Sequence, residues 1–166
     1  HSVGVSVEAE LGTIGSNEVT DGTSEVDKIL YTDANDAKEF VENTGVDTLA
    51  VAIGTRHGHY AHVEQPELRI DLLEKINEEV DIPLVLHGGS DNRDEEIRKT
   101  YEHGESKINL STDMKTAFLG KLRENLNNNP EAYEPDQLML SARKEAQKVI
   151  EYKMDLFNST NKADLY

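Results

Sequence analysis

Four times along this chain a short apolar run of strand length gives way to polar residues and then to a segment whose apolar positions recur near every 3.6 residues. Strands separated by helices cannot pair as hairpins. They lie parallel in one sheet with the helices packed outside it, an α/β class. The apolar runs are Val3 to Leu11, Thr48 to Ile53, Pro83 to His87 and Lys107 to Leu110. The pattern fits an open doubly wound sheet or part of an eight-stranded (β/α) barrel. In both, chemistry gathers at the carboxyl ends of the strands.

The helices carry their own punctuation. Thr32 or Asp33 can cap the first, whose apolar side is Ala34, Ala37, Phe40 and Val41 and whose stop is Gly45. Leu68, Leu72, Leu73, Ile76 and Val80 mark the second. The third runs from Asp91 to His103 before Gly104, and the fourth from Met114 to Asn127 behind the cap Ser111-Thr112-Asp113. The last spans about Pro135 to Phe157, and the polar residues after Asn158 read as a frayed tail. Gly12 to Lys28 has three glycines, four acids and no periodicity, so it reads as a long loop of the kind that forms lids.

In the first run, Val5, Val7, Ala9 and Leu11 alternate with Ser6, Glu8 and Glu10. Two carboxylates on one face of a strand suit a wet, functional interior. An edge strand with a solvated face accounts for the pattern equally well. Strand-like sequence so soon after His1 makes a start in mid-fold the expectation.

Charge narrows the partners. With 33 acidic and 17 basic residues the formal charge is −16, which repels phosphate backbones and anionic lipid, so neither nucleic acid nor membrane is expected. No apolar run approaches the roughly 20 residues of a membrane span, and a cytoplasmic protein is the expectation. The absence of cysteine excludes disulfides, thiolate metal sites and cysteine nucleophiles.

His57, His87 and Asn109 fall at or just past strand ends. Two histidines from successive strands, each followed by glycine, can hold a divalent metal while glycine N–H groups approach a phosphate. A lone histidine at a strand end is more often an ordinary polar residue, and the repeated His-Gly pair is what favours a site. His57, His59 and His62 also form an H-x-H-x-x-H pattern. On a strand His57 and His59 would share a face, as in metal-dependent hydrolases. Gly58, Tyr60 and Pro66 argue instead for a loop that leaves His59 and His62 peripheral. Lys107 shares a strand face with Asn109. Desolvated, it can form a Schiff base, although pairing with Glu8 or Glu10 is the more ordinary role.

With these residues in view, the chain resembles the class II, zinc-dependent ketose-bisphosphate aldolases. The matching segments are Val5-Ser-Val-Glu-Ala-Glu-Leu-Gly12, Tyr31-Thr32, Thr44 to Thr55, His57-Gly58, Pro83 to Ser90 and Lys107-Ile-Asn109. The resemblance implies a (β/α)8 TIM barrel of which residues 1–158 are the carboxyl-terminal half, strands five to eight, with 159–166 a tail. It implies reversible cleavage of fructose or tagatose 1,6-bisphosphate to dihydroxyacetone phosphate and glyceraldehyde 3-phosphate. Zn2+ would act as Lewis acid, with room for a monovalent cation. By the same match His57 and His87 would be zinc ligands, and Glu10 would stand beside them or replace one. Gly58, Gly88, Gly89, Ser90, Asn109, Leu110, Ser111 and Thr112 would hold the substrate phosphate and hydroxyls, and Glu18 would transfer a proton from the mobile loop. A third ligand histidine and a catalytic aspartate belong to the missing amino-terminal half, so the chain alone would be a poor enzyme. A homo-oligomer, dimer or tetramer, is implied as well. The competing readings are a phosphate-binding half-barrel that needs a partner half and a metal-dependent hydrolase built on His57 and His59.

Overall fold

In the computed structural model, which describes residues 1–16, 29–60 and 67–165, the expected strands and helices form in the expected order. Strand β1 (Glu8–Leu11) is followed by the two-residue β2 (Gly15–Ser16) and by helix α1 (Ala34–Thr44). The Asp33 carboxylate accepts hydrogen bonds from the N–H groups of Asn35 and Asp36, and Gly45 closes α1 in the left-handed conformation at φ 65°. Asp33→Ala removes both cap bonds and should lower stability by about 1 kcal/mol. That loss would be read as a lower urea midpoint at unchanged slope. Thr32, the other candidate cap, does something else: its hydroxyl donates to Leu11 O at 2.5 Å and accepts from Ala52 N–H at 2.8 Å, tying β1 to the chain beyond the next strand.

That strand is β3 (Thr48–Val51), followed by β4 (Arg56–His57), α2 (Ile70–Glu79), β5 (Leu84–Leu86), α3 (Asp94–Glu102) and β6 (Glu105–Ile108). Four strands pair in parallel in the order β1-β3-β5-β6, the sequence order expected of consecutive β/α units. β2 and β4 form a separate parallel pair. The core lies where aliphatic strand residues meet the helices: Leu49, Val51, Leu84 and Leu86 are fully buried, with Leu73, Ile76 and Ile97 from α2 and α3.

Register decides which residues share a face. Glu8 pairs with Thr48, Glu10 with Ala50, Ala50 with Val85, and Val85 with Lys107. Paired residues point the same way, so one face carries Glu8, Glu10, Thr48 and Lys107, and His87, two residues beyond Val85, continues it. Between Leu84 and Val85 the register with β6 shifts by one residue, so Glu105, partner of Leu84, lies on the other face.

Residues 1–110 form one compact unit and 111–166 another. In the second, α4 (Thr112–Asn128) and α5 (Pro135–Leu156) pack together. Asn125 donates to Leu138 O and Ser141 Oγ at one end, and buried Lys153 pairs with Asp113 at 3.1 Å at the other, so the helices run antiparallel.

Four expectations need correction. The first strand begins at Glu8 rather than Val3, because β3 offers a partner only from Thr48 onward. Val3 and Val5 are 81% and 61% exposed. The stretch from Gly12 to Lys28 opens with a short strand where Gly15 and Ser16 pair with Arg56 and His57, so it does not start as plain loop. Ser111 occupies the cap position of α4 without a side-chain cap bond, and beyond Asn158 the residues Ala163–Leu165 form a 3-10 turn.

Candidate active site

The face defined by register becomes a polar cluster at the carboxyl end of β5. The His87 ring lies between two carboxylates, with Nδ1 2.7 Å from Glu10 Oε2 and Nε2 3.1 Å from Glu8 Oε1. Lys107 donates to Glu8 Oε2 at 2.8 Å and Thr48 Oγ1 to the same oxygen at 3.3 Å. The Lys107 ammonium, helped by His87 and Thr48, holds the Glu8 carboxyl below its ordinary range despite some desolvation. Among the described residues β1 is therefore both an edge strand and the supplier of two carboxylates to the face that carries His87. The expected pairing of Lys107 with a strand carboxylate is also present.

Behind the ring, the backbone is pinned. Thr55 Oγ1 donates to His87 O at 2.7 Å. Gly88, at φ 68°, sits so close to the preceding turn that a Cβ there would stand 2.8 Å from Arg56 O. His57, next to Arg56 and exposed at the end of β4, therefore lies on a turn packed directly against the one that follows His87. Gly58 is buried in that turn at φ 90°.

Gly89 serves packing. Its N–H donates to Asn109 O at 2.9 Å, and a Cβ on it would meet Ile108 Cγ2 at 2.7 Å. Asn109 N–H in turn donates to Leu86 O at 2.8 Å, so the Gly88-Gly89-Ser90 turn is fastened to the end of β6. Ser90 is buried and Asn109 and Leu110 are half-buried in the same unit, whereas Ser111 and Thr112 belong to the second unit. Glu18 and His62 lie outside the described residues. His59 falls beyond β4, with Nδ1 3.5 Å from Asp91 Oδ2, so it shares no strand face with His57.

The donor types suit zinc: imidazole nitrogens and carboxylate oxygens, with no thiolate. Glu10 on Nδ1 of His87 is the kind of contact that orients a metal-binding imidazole, and a metal at Nε2 would take the place of the Glu8 contact there. Among the described residues no three His, Asp or Glu side chains converge on one point. At His87 the two carboxylate partners sit at opposite nitrogens of the ring. The residues present thus fit part of a zinc site, short of the three protein ligands such catalytic sites use.

In the sequence Tyr60 served only as a loop signal, Asp91 only as a helix start and Asn92 not at all, yet together they bridge the two histidine-bearing turns through hydrogen bonds from Tyr60 to Asp91 and Asn92. The only available signal was their place, three residues after His57 and one and two after Ser90. Among the described residues no helix is long and apolar enough to cross a membrane.

Residues 1–162 match the family described as fructose-bisphosphate aldolase class-II. Among solved structures, the YdjI aldolase from Escherichia coli K12 is similar at 32% identity and a TM-score of 0.71, covering 98% of this chain and 52% of that one. A fructose-bisphosphate aldolase from Campylobacter jejuni is similar at 25% identity and a TM-score of 0.73, covering 97% of this chain and 54% of that one. The chain thus spans about half the length of the solved structures it matches.

Proposed function

Because the chain belongs to the class-II fructose-bisphosphate aldolase family, we propose that it works with an amino-terminal half-barrel as a zinc-dependent aldolase. The reaction is reversible cleavage of fructose or tagatose 1,6-bisphosphate into dihydroxyacetone phosphate and glyceraldehyde 3-phosphate. The observation that carries this reading is His87 at a strand's carboxyl end, oriented by Glu10 at 2.7 Å and backed by a glycine turn. Bound zinc supplies Lewis-acid polarisation of a carbonyl. His57 and His87 would hold it, with Glu10 beside them, and the remaining ligand would come from the other half.

The chain's own residues divide the other tasks. Lys107 engages Glu8 as an ion-pair partner, a role that favours metal chemistry over a Schiff base. Gly58, Gly88 to Ser90, Asn109 and Leu110 would bind the substrate phosphate and hydroxyls. Since Gly89 N–H is already bonded to Asn109 O, the phosphate contacts of that turn fall to its other groups. In so acidic a chain these local donors must overcome a repulsive background. Glu18 would exchange a proton with the three-carbon fragment. We place the assembled enzyme in the cytoplasm as a dimer or tetramer.

An aldol-cleavage assay on the chain alone, and mixed with the separately produced amino-terminal half, tests this. Cleavage is expected on mixing and should fall to background with a chelator, returning when zinc is added. Cleavage that survives chelation would overturn the zinc reading and revive Lys107 as nucleophile. Zinc and phosphate binding with no cleavage in the mixture would make the chain a binding module.

A further inference from the structure

The two turns that present His57 and His87 are joined by a closed set of hydrogen bonds. Tyr60 OH accepts from Arg56 N–H at 2.8 Å and donates to Asn92 Oδ1 at 3.3 Å. Asn92 Nδ2 donates to both Gly88 O, at 2.7 Å, and Ser90 O, at 2.9 Å. Tyr60 N–H closes the set on Asp91 Oδ2 at 2.7 Å. Tyr60 is 5% exposed and Asn92 9%, so removing any member leaves partners unpaired away from water. Asp91 is held at φ 57°, a left-handed conformation sustained only where its surroundings require it.

We propose that Tyr60 and Asn92 are positioning residues that lock the His57 turn against the His87 turn, fixing where the two imidazoles stand. Neither side chain has a place in the set of metal or phosphate contacts. Each grips the backbone beside a histidine: Tyr60 the N–H of the residue before His57, Asn92 the carbonyl of the residue after His87. The inference rests on the reading of those histidines as shared zinc ligands.

The test uses the wild-type chain and the variants Tyr60→Phe and Asn92→Asp, each labelled with 15N-histidine and titrated with zinc alone. In the wild type the His57 and His87 ring signals are expected to move together at one zinc concentration. In both variants the two responses should separate and the apparent affinity should fall by about tenfold. The thermal midpoint serves as control, since mere loosening of the fold would weaken both rings alike. Variants whose two rings still respond together at wild-type affinity would overturn the positioning role. If the wild-type rings do not respond jointly, the shared-ligand reading itself fails and the positioning role falls with it. Should one variant fail to fold, the other decides the outcome.

Discussion

Replacing His87 with alanine is expected to lower kcat/KM for the proposed aldol cleavage, measured on the reassembled halves, by on the order of a thousandfold, about 4 kcal/mol in transition-state stabilisation. His87 is where the two carboxylates of β1 meet, and its loss removes both the proposed zinc donor and the group that separates Glu8 from Glu10. The two carboxylates would then repel each other, so the variant should also bind zinc more weakly in a chelator competition. The ring is on the face shared with Glu8, Glu10 and Lys107 and partly exposed, so the fold should survive; an unchanged far-ultraviolet spectrum would check that. His103→Ala is the matched control. That ring pairs with Glu74 at 2.6 Å, outside the cluster, and its loss should leave kcat/KM within about twofold. A small effect at His87, or equal effects at both histidines, would remove the basis of the assigned site.

The second large effect concerns stability. Both carboxylate oxygens of Glu105 are buried and without a hydrogen-bond partner among the described residues, and the residue is only 4% exposed. Through register it lies beside fully buried Leu84 on the core side of the sheet. Desolvation pushes its carboxyl well above the ordinary value of 4.5. The folded chain therefore binds this proton more tightly than the unfolded chain does. Below about 4.5 both states hold it and the shift has no effect on stability. As pH rises from there toward the raised folded value, the unfolded state releases the proton first and stability declines. Glu105→Leu removes the unpaired group at similar volume and should raise stability at pH 7 by about 1–3 kcal/mol. Urea unfolding at several pH values should show the gap between variant and wild type widening from acid toward neutral pH. A gap that stays constant, or a variant less stable at every pH, would mean that Glu105 has a partner in solution.

What the sequence revealed, and what it hid, follows from the range of each interaction. Periods of 2 and 3.6 are local, so the parallel strands and their helices were readable, as were Asp33 and Gly45 at the ends of α1. Paired carboxylates on β1 and a histidine after an apolar run were enough to bring Glu8, Glu10 and His87 to one face, because strand alternation carries side-chain direction along with it. The link between Tyr60 and Asn92 spans 32 residues and has no period, so only three-dimensional packing exposes it. Glu105 misleads in the opposite way. The apolar run begins at Lys107 and leaves Glu105 outside the expected strand, and only its place in β6, paired with Leu84, shows it buried. Val3 and Val5 look like core, yet no neighbouring strand extends far enough to cover them.

Among the described residues, β1 and β6 border the four-stranded sheet with no further strand beside either. Each flank is a row of amide donors and acceptors onto which another chain can zip. The formal charge of −16 opposes that by holding copies of the chain apart, but its reach shrinks to about 8 Å in physiological saline. Ionic strength thus sets how readily a second chain, whether the proposed amino-terminal half or another copy, zips onto those flanks.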